Sequence, residues 1–282
     1  MQKSIYHQTI ETLASFGVES PRLEARLLIA DVLGKDVNDI SDDVTLSENL
    51  QNILKRNVQK RHDGMPIDKI LGHREFYKYD FKVSEKVLSP RPDTEILVET
   101  ALELIKKNDM KRILDLGVGS GCILLSILKE MPQIKGVGVE VENKALDVAK
   151  ENAEALQVSD KVMWFEKNWF DADFESCFEK PFDMIVSNPP YIKTEDIESL
   201  DIGVKKYDPK CALDGGIDGL KDYRRIAEFA SHLLKGEGYI LLEIGFNQAK
   251  DVQKIFEIHD LKYIRTVSDL AGIERVVVFK KE

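Results

Sequence analysis

Over residues 1–75 apolar positions recur three and four apart, the spacing of amphipathic helices. In "SPRLEARLLIADVLG", Ser20 reads as an N-cap, Pro21 as the first helical residue and Gly34 as the stop. Leu23, Leu27, Leu28, Val32 and Leu33 then form the apolar face. "SENLQNILKRNVQKRHDG" repeats the plan, with Ser47 opening, Leu50, Ile53, Leu54 and Val58 inward, and Gly64 closing. With a shorter first helix these predict a small bundle. Aromatic and polar residues alternate in "FYKYDF", which suits a β-hairpin or an extended connector. From "PRPDTE" onward the period switches repeatedly between helical and β-rich. The β-rich runs are "RILDLG", "GVGVEV", "KVMWFE", "FDMIVS", "GYILLEIG", "YIRTVSD" and "ERVVVFKK". Strands alternating with helices in this way predict an α/β fold with a doubly wound seven-stranded sheet, its last two strands antiparallel. The expected division is a helical domain over 1–75, a hairpin or linker over 76–90 and a catalytic domain over 91–282.

The first strand of that sheet runs into "DLGVGSGC". Gly117, Gly119 and Gly121 at a strand exit, with a helix starting at once, let backbone amides approach a bound ligand. Nicotinamide enzymes use the same device, but two details point elsewhere. Cys122 stands where the dinucleotide fingerprint has its third glycine or alanine. Asp115 would repel a pyrophosphate and attract an ammonium group, which suits the amino-acid end of S-adenosylmethionine. Glu140 ends the second strand, where an acid takes the ribose hydroxyls. Trp169, after the third strand, stands where an adenine ring is read, and it also suits a core position.

The fourth strand ends in "SNPPYI". Proline disfavours helical geometry in the residue before it, so Asn188 and Pro189 are both biased to extended conformations. The two prolines fix their own φ angles and remove N–H donors. What remains is a rigid display of acceptors, the Asn188 side-chain oxygen and backbone carbonyls such as that of Pro189, beside the Tyr191 ring. A planar –NH2 group has two hydrogens for such acceptors and a π face for the ring. Its lone pair is delocalised, so methylating it depends on positioning. A glutamine amide and the N6 amino group of adenine fit this description equally.

Composition narrows the classes. The chain has 282 residues, 43% hydrophobic and 32% charged, with a net charge of -10. That is a globular composition, and the acidity counts against phosphate-driven duplex binding. No apolar run is long enough to cross a bilayer and no secretory signal is read, so a cytoplasmic protein is expected. Cys122, Cys177 and Cys211 form no CxxC pair, so neither disulfides nor a metal are expected. None of the five histidines falls near the motifs, and all are read as structural.

Taken together, "ILGHREFYKYDFKVSEKVLSPRPDTEILVE", "DLGVGSG", "SNPPYI", "YDPKCALDGGIDGLKDYRRI" and "DLAGIERVVVFKK" resemble the bacterial release-factor glutamine N5-methyltransferases, the PrmC/HemK family, over nearly the whole chain. The resemblance implies a class I S-adenosylmethionine-dependent methyltransferase fold with an N-terminal helical domain that docks the substrate. It implies methyl transfer to the glutamine of the Gly-Gly-Gln motif in class 1 peptide-chain release factors, with S-adenosylhomocysteine as product and no metal. Direct nucleic-acid or membrane binding is not expected, and a monomer is the default. By matching positions, Asp115, Gly117, Val118, Gly119, Ser120, Gly121, Glu140 and Trp169 would hold the cofactor. Asn188 would face both cofactor and glutamine, with Pro189, Pro190 and Tyr191 lining the substrate slot. Catalysis would fall to Asn188, Pro189 and Tyr191. The family often has Asp at positions 140 and 168 and Thr or Ala at 118 and 122, so Glu140 and Asn168 depart from its pattern. The alternative is an adenine-N6 methyltransferase acting on DNA or RNA. Arg91 and the "DGGIDGL" segment receive no role.

Overall fold

The computed structural model describes residues 4–282. The chain divides into two compact units, the smaller running through Gly72 and also taking in Asp201–Tyr207. In the smaller unit, helices α1 (Ile5–Ser15), α2 (Pro21–Leu33), α3 (Glu48–His62) and α4 (Ile67–Leu71) enclose a core of Tyr6, Leu13, Leu28, Ile29, Leu54 and Ile70. Pro21 does open α2, and Gly34 closes it in the left-handed conformation. Neither Ser20 nor Ser47 makes the side-chain cap bond expected of it. Leu23, read as inward, is 56% exposed.

The larger unit begins with the antiparallel hairpin β1 (His73–Phe76) and β2 (Tyr79–Lys82). Then follow α5 (Glu95–Lys107), β3 (Arg112–Leu116), α6 (Cys122–Glu130), β4 (Lys135–Glu140), α7 (Asn143–Ala155), β5 (Val162–Glu166) and β6 (Phe182–Ser187). Within the stretch read as one long loop lies the six-residue helix α8 (Ile202–Tyr207), which belongs to the smaller unit. There the Tyr207 hydroxyl donates to the Asp63 carbonyl at 3.2 Å, and Gly203 packs on Pro66. The chain finishes with α9 (Lys221–Leu233), β7 (Leu234–Glu243), α10 (Ala249–Glu257), β8 (Leu261–Ser268) and β9 (Glu274–Lys281).

The seven-stranded sheet has the order β5-β4-β3-β6-β7-β9-β8, parallel except for β9, which pairs antiparallel with both β7 and β8. Alternation along the strands sends successive side chains to opposite faces. Ile113, Met184 and Val186 therefore join α5 and α6 in one core, while Leu114, Leu116 and Ile185 join α9 and α10 in the other. Both faces are covered, which is why the strands read as continuous apolar runs. The strand order reverses between β3 and β6, the point at which open α/β sheets bind ligands. Leu116 pairs with Ser187, and the Ser187 hydroxyl donates to the Leu116 carbonyl at 2.7 Å. The glycine loop and the Asn-Pro-Pro-Tyr segment thus leave the sheet side by side. Among the described residues no helix is long and apolar enough to cross a membrane.

Candidate active site

At the switch point a cavity of about 650 Å³ opens beyond the strand ends. Gly117, Gly119 and Gly121 have φ of 75°, 53° and 83°, a path that strains any residue with a Cβ. The loop is held because the Gly117 and Val118 amides donate to the Val139 carbonyl, each at 2.9 Å. A Cβ on Gly121 would fall 2.7 Å from Leu125 Cδ1 and 3.5 Å from Ala149 Cβ, so this glycine leaves room for α6 and α7 to pack together. Gly117, Val118, Gly119 and Ser120 line the cavity, and Gly121 stands behind them.

Glu140 lines the same wall. Its carboxylate accepts from the Gly119 and Val141 amides at 2.9 Å and from the Glu142 amide at 3.1 Å. Burial raises its pKa, opposed by those three donors. Trp169 lines the cavity with its ring 3.3 Å from where a Gly117 Cβ would be, and its indole N–H donates to Asp222 at 3.0 Å. Asn168 also reaches the cavity, while its side-chain oxygen accepts from the Phe170 amide.

Asp115 does not reach the cavity. It is fully buried under the glycine loop, and neither carboxyl oxygen makes a hydrogen bond of ordinary length and angle, although the Leu124 amide tempers the effect of burial. Burial pushes its pKa up to about 8, with the Glu140 charge adding to the effect. The folded protein therefore holds a proton here that the unfolded chain, titrating near 3.8, has released. This contribution to stability is complete below pH ~4 and fades as pH rises through about 8. Asp115→Asn is expected to gain on the parent progressively as pH rises from about 4 to about 8, and to melt several degrees above it at pH 8.5. Melting curves across that range check it, and a pH-independent gap would contradict it.

The Asn-Pro-Pro-Tyr segment is clamped on both sides. Ile192 bridges Asp214, its amide donating to the Leu213 carbonyl and its own carbonyl accepting from the Gly215 amide. From the other side Gln248 donates to the Tyr191 carbonyl at 3.0 Å. Asn188 and Pro190 line the cavity, but Pro189 and Tyr191 do not. The Tyr191 ring turns into the core under α9, and burial, with the Glu243 charge next, pushes its hydroxyl up to about 12. Among the described residues nothing donates to the Asn188 side-chain oxygen or to the Pro189 carbonyl. The two acceptors expected from sequence are unspent.

Three contributions were not legible in the motifs. Leu88, Ser89 and Pro90, within the stretch read as linker, line the cavity, fixed there because Asn152 on α7 bonds both Lys82 and the Ser120 carbonyl. Arg91 also lines it and pairs with Asp208 at 3.5 Å. "DGGIDGL" supplies Asp214 and Gly216 to the cavity wall and brings Gly219 against the Tyr191 carbonyl, beside the Gln248 strut.

Residues 4–72 match the family model for a PrmC N-terminal domain and residues 92–203 that for a Methyltransferase small domain. A release factor glutamine methyltransferase of Agrobacterium fabrum is 40% identical over 277 residues, covering 95% of this chain and 93% of that protein. The chain belongs to the release factor glutamine methyltransferase family. A second member, from Fusobacterium nucleatum, is 37% identical over 98% of this chain and 78% of its own length. The fold of these glutamine methyltransferases extends further. A crystal structure of a methyltransferase from Pyrococcus furiosus covers 83% of this chain and 99% of its own, at 15% identity and a TM-score of 0.52.

Proposed function

We propose that this protein methylates the side-chain amide nitrogen of the glutamine in the Gly-Gly-Gln motif of class 1 peptide-chain release factors, with S-adenosylmethionine as donor. The observation that carries the reading is Asn188 on the cavity wall, its Oδ1 unspent on a rigid segment beside a glycine loop; the Pro189 carbonyl next to it is also without a donor, although Pro189 does not line the cavity. The names of the relatives support the substrate.

The residues fit the donor. The backward-turning glycine loop is a cradle that Cβ atoms would fill, and Glu140 stands at the neighbouring strand end. The loop amides and the Glu140 carboxylate would hold the amino-acid and ribose parts, and Trp169 would lie along the base. Asp115 lies beneath the loop and makes no contact with the cavity, and as a protonated carboxyl it brings no negative charge under the donor. When bound, the donor supplies a methyl group on a sulfonium, open to in-line attack.

The chain's own work is to aim the amide. Two acceptors take its two hydrogens and turn the nitrogen lone pair towards the methyl group. The methylated nitrogen is cationic and strongly acidic, so it loses its proton without a dedicated base. No histidine lines the cavity. We read the enzyme as a cytoplasmic monomer whose helical unit docks the release factor.

The test is incubation with labelled donor and purified release factor, beside a factor whose Gly-Gly-Gln glutamine is alanine. Label on the first and none on the second is expected. Equal labelling would overturn the substrate, and label confined to added DNA or RNA would move the reading to adenine.

A further inference from the structure

The acceptor role of Asn188 requires a choice, because a carboxamide can present either its oxygen or its –NH2 to the cavity. Three residues far apart in sequence meet behind it. Asn188 follows Ser187 at the end of β6, and Glu243 follows Leu242 at the end of β7, with Ser187 and Leu242 paired in register. Thr94, where α5 begins, is 2% exposed, and its hydroxyl makes no cap bond to the helix. Asn188 Nδ2 donates to Thr94 Oγ1 at 3.3 Å. The side chains of Thr94 and Asn188 both lie close enough to the Glu243 carboxyl to lower its pKa against the effect of burial. Glu243 is itself 2% exposed, and its Oε2 has no hydrogen bond.

A carboxylate can only accept. It therefore takes the single hydroxyl proton of Thr94, so Thr94 must meet Asn188 with a lone pair. Both hydrogens of the Asn188 –NH2 are then spent on Thr94 and Glu243, and Oδ1 is left to face the cavity. We infer that Glu243 and Thr94 are positioning residues, which set the direction of the hydrogen bonds behind Asn188 and so make it present its oxygen to the substrate amide. The inference rests on the function proposed above but concerns the hydrogen bonds behind Asn188; Glu243 stays out of the cavity, while Thr94 also lines it.

The surroundings of Glu243 make its ionisation sensitive to pH. Asp93 repels its charge, while Arg275, held between Asp93 at 2.8 Å and Asp269 at 2.9 Å, attracts it. Cys122 of α6 and the hydroxyls of Tyr191 and Tyr223 also lie within its field, and Tyr223 donates to the Glu243 carbonyl at 2.8 Å. Burial dominates and pushes the Glu243 carboxyl up to about 7. Below that pH a protonated Glu243 can donate to Thr94, which frees the hydroxyl to donate to Asn188 Oδ1 and turns the –NH2 outward. Activity is thus expected to rise with pH through about 7.

Two readouts test this. In single-turnover methylation of a release factor, Thr94→Val should lose about 10- to 100-fold in rate, and Thr94→Ser should keep most of it. Glu243→Gln should be slower at pH 8 and lose the rise through pH 7. Donor affinity and KM for the factor should stay within about threefold in all three. Independently of activity, the Asn188 side-chain –NH2 resonances should titrate near pH 7 in the parent and not in Glu243→Gln. Failure of the parent to methylate while these resonances titrate would sink the proposed substrate and leave the positioning roles standing. A parent-like rate in Thr94→Val, an unaltered pH profile in Glu243→Gln, or resonances that ignore pH would overturn the positioning roles.

Discussion

Asn188→Ala is expected to lower the methylation rate about a thousandfold, at the upper end of what one preorganised polar group contributes to a transition state. The substitution removes one of two acceptors and leaves Thr94 and the buried Glu243 carboxyl each without a partner they now have. The backbone path should persist, because Pro189 and Pro190 fix it and because Ile192 and Gln248 hold the segment after them. In the proposed function the donor would be held mainly by the glycine loop and Glu140, so its Kd should change less than about threefold. Single-turnover rates with calorimetric titration of the donor separate the two effects. A variant as fast as the parent would remove Asn188 from the chemistry, and a variant that cannot bind donor would relocate its role.

The second large effect is expected at Gly219, outside any motif with assigned chemistry. Its φ is 74°, and a Cβ there would lie 2.4 Å from the Tyr191 carbonyl and 2.8 Å from Gln248 Nε2. That same Nε2 donates to the carbonyls of both Tyr191 and Gly219. Gly219→Ala therefore strains its own backbone and pushes the strut off the Asn-Pro-Pro-Tyr segment in one step. About 2–4 kcal/mol of stability should be lost, with at least a tenfold fall in rate as the acceptors shift. Thermal unfolding and rate measurements on the same preparation check both. Gly216→Ala, also at positive φ but meeting only the Lys221 side chain at 3.0 Å, should cost less activity.

Much of this was readable in the residues. The buried parallel strands announce themselves because each is a short apolar run, and Gly117 to Gly121 mark the turn where no Cβ is tolerated. The reading of Asn188 as an acceptor rests on proline's backbone restriction at a strand end. What stayed hidden depends on register and depth. Thr94, Asn188 and Glu243 share no local pattern, and only the pairing of β6 with β7 brings two of them together. Asp115 sits on a strand end like Glu140, yet one lies beneath the loop and the other beside it, a difference that period-two alternation does not encode. Helix α8 has six residues with Tyr207 alone buried, too short for a periodic signal.

That short helix has a consequence for any attempt to dissect the protein. The helical unit is assembled from two separated stretches, so a cut after Gly72 would not release it whole. Asp63, Gly64 and Pro66 would be taken from α8, leaving Tyr207 without the carbonyl it bonds and Ile202 without the glycine it rests on. The segment from Ile192 to Asp214, closed at its base by their bridge, would then lose the anchor at its far end and regain loop entropy next to Tyr191. Poor activity in a shortened enzyme would therefore not by itself prove the docking role proposed for the helical unit, because the segment between Ile192 and Asp214 would have been altered as well.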